Sequence, residues 1–268
     1  MKEITPQELK TLQLDVLQAV DAFCRERGIR YSLACGTMLG AVRHKGYIPW
    51  DDDLDIYLLR EDYNRLMAEF PAVYEGHYEL ISRERDKRWD LLIAQAYDNR
   101  TLFVEGAHTA MNVGVKIDLF PIDDVPDDDA EWLAYDKKRR LLARILLIKG
   151  SLLSRKQRSF RKNLGMLLIK IVTFPISRKR LASILDRYAQ KFNGKGYRSV
   201  FECIQGLLQK HKFSKSLFGS LVDYPFEDRH FPGFADADAY LRNGYGDYMK
   251  LPPEEKRVAH HLYRAYWK

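Results

Sequence analysis

Nowhere does this sequence carry an apolar run long enough to cross a bilayer. Its longest nearly apolar stretch, Met166–Ile176, is interrupted by Lys170 and Pro175 and falls short of the ~20 residues a spanning helix needs. The opening Met1-Lys2-Glu3-Ile4-Thr5-Pro6 has no charged-then-apolar pattern, which argues against a secretory leader. Cysteine is scarce: Cys24, Cys35 and Cys203 are far apart, fit neither a paired framework nor a zinc-ligand spacing, and read as thiols of a reducing compartment. Acidic residues vanish between Lys137 and Leu185, where 15 lysines and arginines fall in 49 positions and leave the rest of a +7 chain at −8. Only Phe160 and Phe174 interleave rings with those cations, too few for a stacking platform, so no nucleic acid partner is expected. A cytoplasmic protein is expected, and 46% hydrophobic residues suffice for a core.

What the chain does have is concentrated in Cys35–Ile56. If a strand begins near Asp53, alternation puts Leu54, Ile56 and Leu58 on one face and Asp53 and Asp55 on the other. Two carboxylates on one face of a buried strand repel each other and take up a proton unless a cation sits between them. Hard oxygen ligands suit Mg2+ or Mn2+, with substrate phosphate oxygens completing the shell. Asp51 and Asp52 precede the pair, Asp51 as a further ligand. A solvated acidic turn is the competing reading; Pro49 and Trp50 before the acids and the apolar alternation after them oppose it. Upstream, Tyr31–Cys35 reads as a strand and Met38–Val42 as the start of a helix. Gly36-Thr37 therefore lies at a junction where backbone N–H groups and a helix N-terminus receive phosphate. Arg43, His44 and Lys45 add cationic donors, Arg43 as a bidentate fork.

Val113–Phe120 is the second informative strand, with Val113, Val115, Ile117 and Leu119 on one face and Lys116 and Asp118 on the other. A lone acid inside an apolar strand needs a partner. Asp118 is the candidate third carboxylate of the site, and a salt bridge to Lys116 or Arg43 is the alternative. Asp123-Asp124, after Pro121, fits a turn.

The rest of the chain supplies scaffolding. Thr5 caps a helix with Pro6 in its first turn and Glu8 reaching back; Leu9, Leu12, Val16, Val20 and Phe23 recur at helical spacing until Gly28. A second helix opens at Arg60 and closes at Pro71, and His77–Ser82, Leu91–Tyr97 and Val200–Leu208 read as strands. A helix from Ala237 to Arg242 stops before Gly244. His108 reads as a loop histidine. Within the basic stretch, Leu141, Leu142, Ile145, Leu146 and Leu152, then Leu164, Leu167, Leu168, Ile171 and Val172, build amphipathic helices. Such a pair can lie on an anionic lipid surface, each cation contributing ~1 kcal/mol near the headgroups. The alternative is a lid whose apolar face packs on the core.

Gly36-Thr37, Gly40–Gly46 reading Gly-Ala-Val-Arg-His-Lys-Gly, and Trp50–Asp55 match without a gap the signature of the LicD family of phosphocholine transferases, related to the fukutin group. Ile117–Asp123, Tyr245–Met249 and Pro252-Pro253 continue the resemblance. It implies an α/β (α+β) fold, a nucleotidyltransferase-like mixed sheet with packed helices and a basic helical insertion. The expected division is a catalytic core over 1–125, the insertion over 126–195, and a segment over 196–268 that completes the core and covers the site. The resemblance implies transfer of phosphocholine from CDP-choline to a sugar hydroxyl of a lipid-linked or polymeric glycan such as a teichoic acid precursor, at the inner face of the membrane. Asp53, Asp55 and Asp118 would be catalytic and, with Asp51, hold the metal. Substrate contacts are expected from Gly36, Thr37, Arg43, His44, Lys45, Tyr47, Trp50, Asp52, Lys116, Tyr245 and Arg257, with His260 as a further phosphate contact. A choline cage needs aromatic rings, expected among Trp50, Tyr47 and the tyrosines near Tyr245. Transfer of ribitol or glycerol phosphate, nucleotidyl transfer, and a basic non-catalytic adaptor are the rival readings.

Overall fold

The computed structural model describes residues 1–89, 91–105, 113–151, 159–204, 212–257 and 263–268. His108, Arg155, Lys156, Arg158, Gly206 and His260 lie outside the described residues.

Strand β1 (Lys2–Glu3) leads into helix α1 (Pro6–Arg27). The Thr5 hydroxyl accepts from the Glu8 N–H at 3.2 Å, and Glu8 Oε2 accepts from the Thr5 N–H at 2.9 Å. This reciprocal cap is worth about 1 kcal/mol. Gly28, at φ 62°, ends the helix in the left-handed region that glycine adopts without a Cβ clash. Strand β2 (Ser32–Leu33), helix α2 (Cys35–Arg43), strand β3 (Asp55–Leu59) and helix α3 (Arg60–Glu69) follow, then strands β4 (Tyr78–Ile81), β5 (Ala94–Asp98), β6 (Thr101–Glu105) and β7 (Val115–Val125). Helices α4 (Asp129–Gly150), α5 (Phe160–Val172) and α6 (Arg178–Ala189) carry the basic charge. Strands β8 (Ser199–Phe201), β9 (Phe213–Ser214), β10 (Leu221–Phe226) and β11 (Arg229–Phe234), helix α7 (Ala237–Tyr245) and strand β12 (Tyr263–Trp267) close the chain.

The main sheet runs β2-β3-β7-β5-β4, with β8 and then β9 added along the far half of β7. Only the central β3–β7 pair is parallel among the described pairs. Ile56, Tyr57 and Leu58 on β3 are buried, as expected of a strand covered on both faces, and Val115, Ile117 and Leu119 bury one face of β7 while Lys116 and Asp118 on the other are half-buried. A small sheet, β1-β12-β6, ties both ends of the chain together. The mixed α/β expectation is met.

Several boundaries differ from the sequence expectation. β3 starts at Asp55, leaving Asp53 in the segment before it, although the Leu54 carbonyl already accepts from the Asp118 N–H at 2.9 Å. β7 runs straight through Pro121 to Val125, so Asp123-Asp124 is strand and not turn. Past Pro121, β8 pairs Asp123 with Phe201 and Asp124 with Val200, and the Arg60 guanidinium grips both Asp123 oxygens at 2.8 and 2.7 Å. The strand after Val200 ends at Phe201. α7 continues through Gly244 to Tyr245. The β10–β11 hairpin was hidden by Pro225 and Pro232, which a two-stranded ribbon tolerates because each strand keeps an open edge.

In the basic region, α4 and α6 pack through Ala143 and Leu146 against Leu181, Ala182 and Leu185. Arg139 is fully buried against Asp136, 2.7 Å away, and over the Phe201 ring. α5 contributes no buried residue.

Candidate active site

Parallel pairing sets the geometry of the acids. Asp55 on β3 is in register with Asp118 on β7, and Asp118 with Gln95 on β5. Registered neighbours share a face and lie about 4.8 Å apart, so a row Asp55–Asp118–Gln95 crosses the sheet. The Gln95 amide donates to Asp118 Oδ1 at 2.8 Å, and the Lys116 ammonium reaches the same oxygen at 3.4 Å. Asp118 thus makes the Lys116 pairing that was the alternative reading, and it stands in register with Asp55. Asp55 is fixed by its backbone, its N–H donating to the Thr37 hydroxyl at 2.8 Å and its carbonyl accepting from the Ala34 N–H at 3.0 Å.

Crowding shows in the protonation of Asp55. Burial, then the charges of Asp53, Asp118 and Asp51, push its carboxyl well above the usual carboxylate range, and Lys116 opposes them only in part. A carboxylate so placed holds a proton unless a cation replaces it. Among the described residues no group of three or more His, Cys, Asp or Glu side chains is arranged to hold a metal ion. Asp51, Asp53 and Asp118 act on Asp55 through their charges, and all four offer only hard oxygen donors, the kind that Mg2+ or Mn2+ takes.

The first turn of α2 is built around the acids. Gly36 lies in that turn, and a Cβ on it would run into Asp51 Oδ2. With Thr37 latching Asp55, the Gly-Thr pair has a positioning task in addition to the phosphate role expected of it. At the other end of α2, the Arg43 guanidinium donates from Nε to His44 Nε2 at 2.9 Å and from Nη1 to the Tyr248 carbonyl at 2.6 Å. Burial and then Arg43 hold the His44 imidazole below its ordinary value, which suits a neutral ring accepting that bond. Arg257 stands 5.7 Å over the Trp50 ring, and His44 meets Trp50 edge-on at 6.3 Å. The C-terminal segment thus touches the signature segment at Arg43, through Tyr248, and at Trp50, through Arg257. Tyr245 is 46% exposed. Burial, then Cys35, Asp55, Asp51 and Asp53, push its phenol well above the ordinary value.

Not every expected residue joins the site. Tyr47 is a core residue: its ring packs edge-on against Phe226 at 5.2 Å and its hydroxyl donates to the Lys10 carbonyl and Gln13 Oε1, which removes it as a cage for a ligand. Lys45 is exposed, with its ammonium on the Val42 carbonyl and its own carbonyl accepting from the Glu227 N–H. Asp52 is buried, and its carbonyl accepts from the Gln13 amide at 2.9 Å. Beside the acids, a small part-open recess of about 40 Å³ is lined by Asp52, Asp53, Lys116 and Asp118 together with Phe103 and Tyr263. Gln13, Gln95, Phe103 and Tyr263 were not anticipated. Gln95, a polar residue between Ala94 and Ala96 in a buried strand, was the one with a readable signal.

Comparison with known proteins points the same way. The family described as LicD/FKTN/FKRP, nucleotidyltransferase domain, matches residues 28–147, a span that contains Asp51, Asp53, Asp55 and Asp118. The chain is 32% identical over 275 residues to the lipopolysaccharide cholinephosphotransferase LicD of Haemophilus influenzae, covering 99% of each protein. Shorter matches, 45% over 60 residues and 39% over 67, relate 22% and 24% of the chain to uncharacterized proteins of Rickettsia prowazekii and Rickettsia typhi.

Proposed function

This chain belongs to the LicD family and is a transferase, and from that premise we propose that it moves phosphocholine from CDP-choline to a sugar hydroxyl of lipopolysaccharide or a comparable cell-surface glycan precursor, releasing CMP. The in-register pairing of Asp55 with Asp118, beside the charges of Asp51 and Asp53, is the observation that carries the reading. Near-full-length similarity to a cholinephosphotransferase supports the choice of transferred group.

In this reaction the sugar oxygen attacks the phosphorus that bears choline, the bond from that phosphorus to the CMP oxygen breaks, and the hydroxyl proton passes to a carboxylate. Asp118, which accepts from Gln95 and Lys116, would hold that hydroxyl and take its proton. Asp51, Asp53, Asp55 and Asp118 would hold Mg2+, which when bound supplies charge neutralisation for the diphosphate and the departing CMP. Arg43, bonded to His44 and the Tyr248 carbonyl, would meet phosphate oxygens together with Tyr245.

The acceptor side rests on α5. Phe160, Val172 and Phe174 are 73%, 78% and 82% exposed and Leu168 and Ile171 more than half exposed, with Arg161 and Lys162 on the same helix and Arg178–Arg180 opening the next. No helix among the described residues is long and apolar enough to cross a membrane. This face suits peripheral docking on an anionic bilayer at the cytoplasmic side, where a lipid-linked acceptor would lie.

The test is CMP release from CDP-choline, CDP-ribitol and CDP-glycerol with glycan acceptor, before and after chelation. The expected result is release with CDP-choline that needs a divalent ion and yields a phosphocholine-bearing product. Release only with CDP-ribitol or CDP-glycerol would move the chain to a fukutin-like phosphoalcohol transfer, and a product carrying the nucleotide would make it a nucleotidyltransferase.

A further inference from the structure

The recess beside the acids has two walls that the reaction scheme leaves unused. Phe103 on β6 and Tyr263 on β12 stack at 5.0 Å between centroids and 22° between planes, held side by side because Ala265, two residues beyond Tyr263, is in register with Phe103. The same recess is lined by Asp52, Asp53 and Asp118 and by Lys116. The Lys116 ammonium lies 5.8 Å from the Phe103 centroid and 3.4 Å from Asp118 Oδ1. A positive group between a ring face and a carboxylate is thus already part of this recess.

A group received here must be cationic and partly apolar. A quaternary ammonium meets both conditions: its methyl groups spread the charge, and ring faces with a nearby carboxylate hold it. A cytosine base could offer its N4 amine to a carboxylate, but the two rings, stacked on each other, leave no slot between them for it. Tyr47 is in the core.

We propose that the Phe103/Tyr263 recess receives the trimethylammonium head of the transferred phosphocholine, with Asp52 as counter-charge. The proposal rests on the phosphocholine reading of the same site and gives it a specificity pocket.

The test is calorimetric binding of phosphocholine, CDP-choline, its neutral carbon isostere CDP-3,3-dimethylbutanol, and CMP to the full chain and to Tyr263→Leu, Tyr263→Phe and Phe103→Leu. The expected result is a preference for CDP-choline over the isostere of roughly 10-fold, lost in both leucine variants and kept in Tyr263→Phe, with CMP affinity unchanged. An unchanged preference in folded leucine variants, or equal loss of CMP and CDP-choline, overturns the pocket and leaves the donor reading standing. Phosphocholine binding that the leucine variants weaken, with no CDP ester bound by the wild type, supports the pocket and removes the CDP-donor reading. Absence of phosphocholine and CDP-choline binding alike overturns both. Phe103 packs with Leu9 and Val115; if its variant fails to fold, the partly exposed Tyr263 carries the test.

Discussion

The β3–β7 centre and helix α5 solve opposite problems with the same residue types. At the centre, Ile56, Leu58, Ile117 and Leu119 are buried on the strands that hold Asp55 and Asp118, and apolar packing fixes the acids against their mutual repulsion. On α5 the apolar side chains face outward and lysines do the fastening. Lys149 donates to the Thr173 carbonyl at 2.8 Å, and Lys170 donates back to the Ser151 carbonyl at 2.7 Å. These crossed bonds join the C-terminal ends of α4 and α5, where carbonyls lack helical partners and cations are favoured. Burial energy therefore concentrates where chemistry is expected. The helix that would meet lipid has no buried residue and keeps much of its apolar surface available.

Substitutions that strike each region separately sharpen that contrast. The largest effect is expected for Asp118→Asn, which should lower CMP release by about 10³-fold without loss of thermal stability, because one of several crowded charges is removed. A variant that unfolds would show the acids to be structural. Gly36→Ala comes next: pushing Asp51 aside should reduce kcat/KM by roughly 10²-fold while circular dichroism stays unchanged, and full activity would break the link between Gly36 and the acids. On the other side of the comparison, Arg161→Glu with Lys162→Glu should weaken binding to anionic vesicles about 10-fold. It should leave CMP release from a soluble acceptor as it was, whereas unchanged sedimentation with vesicles would deny α5 a lipid role. Lys149→Met with Lys170→Met should cost about 1 kcal/mol of local stability, seen as faster amide exchange in α5 with the β3–β7 amides unaffected. Smallest is the His44 titration. Its pKa is depressed by burial and Arg43, so its contribution to stability is present above its unfolded value near 6.5 and is lost as pH falls through the lower folded value. An NMR midpoint below about 6.5 is expected, returning toward that value in Arg43→Gln.

Much of this was readable in the chain and some was not, for identifiable reasons. Thr5, Pro6 and Glu8 announce α1 because capping is local. Asp55 and Asp118 stood out because each interrupts an apolar alternation, which buried strands rarely allow without cause. Their register was not legible: alternation tells which face a residue takes and not which neighbour it meets. Tyr47 looked like a ligand contact from its place beside Trp50, but Gln13 and Phe226, remote in sequence, bury it. The Phe103/Tyr263 stack joins strands from distant parts of the chain, beyond the reach of any local pattern. Periodicity likewise could not separate α4, which buries Ala143 and Leu146, from α5, which buries nothing, since apolar spacing is the same whether the opposite surface is protein or lipid.

The central parallel pair also governs when the site comes into being. A parallel ladder closes only after a long crossover, here one that includes α3 and β4–β6, and the Arg60–Asp123 fork at its far end joins groups 63 residues apart. Contacts so remote in sequence form slowly. The nascent chain therefore has no incentive to gather its carboxylates early, and a folding transition followed by divalent-ion uptake would report the last step of assembly.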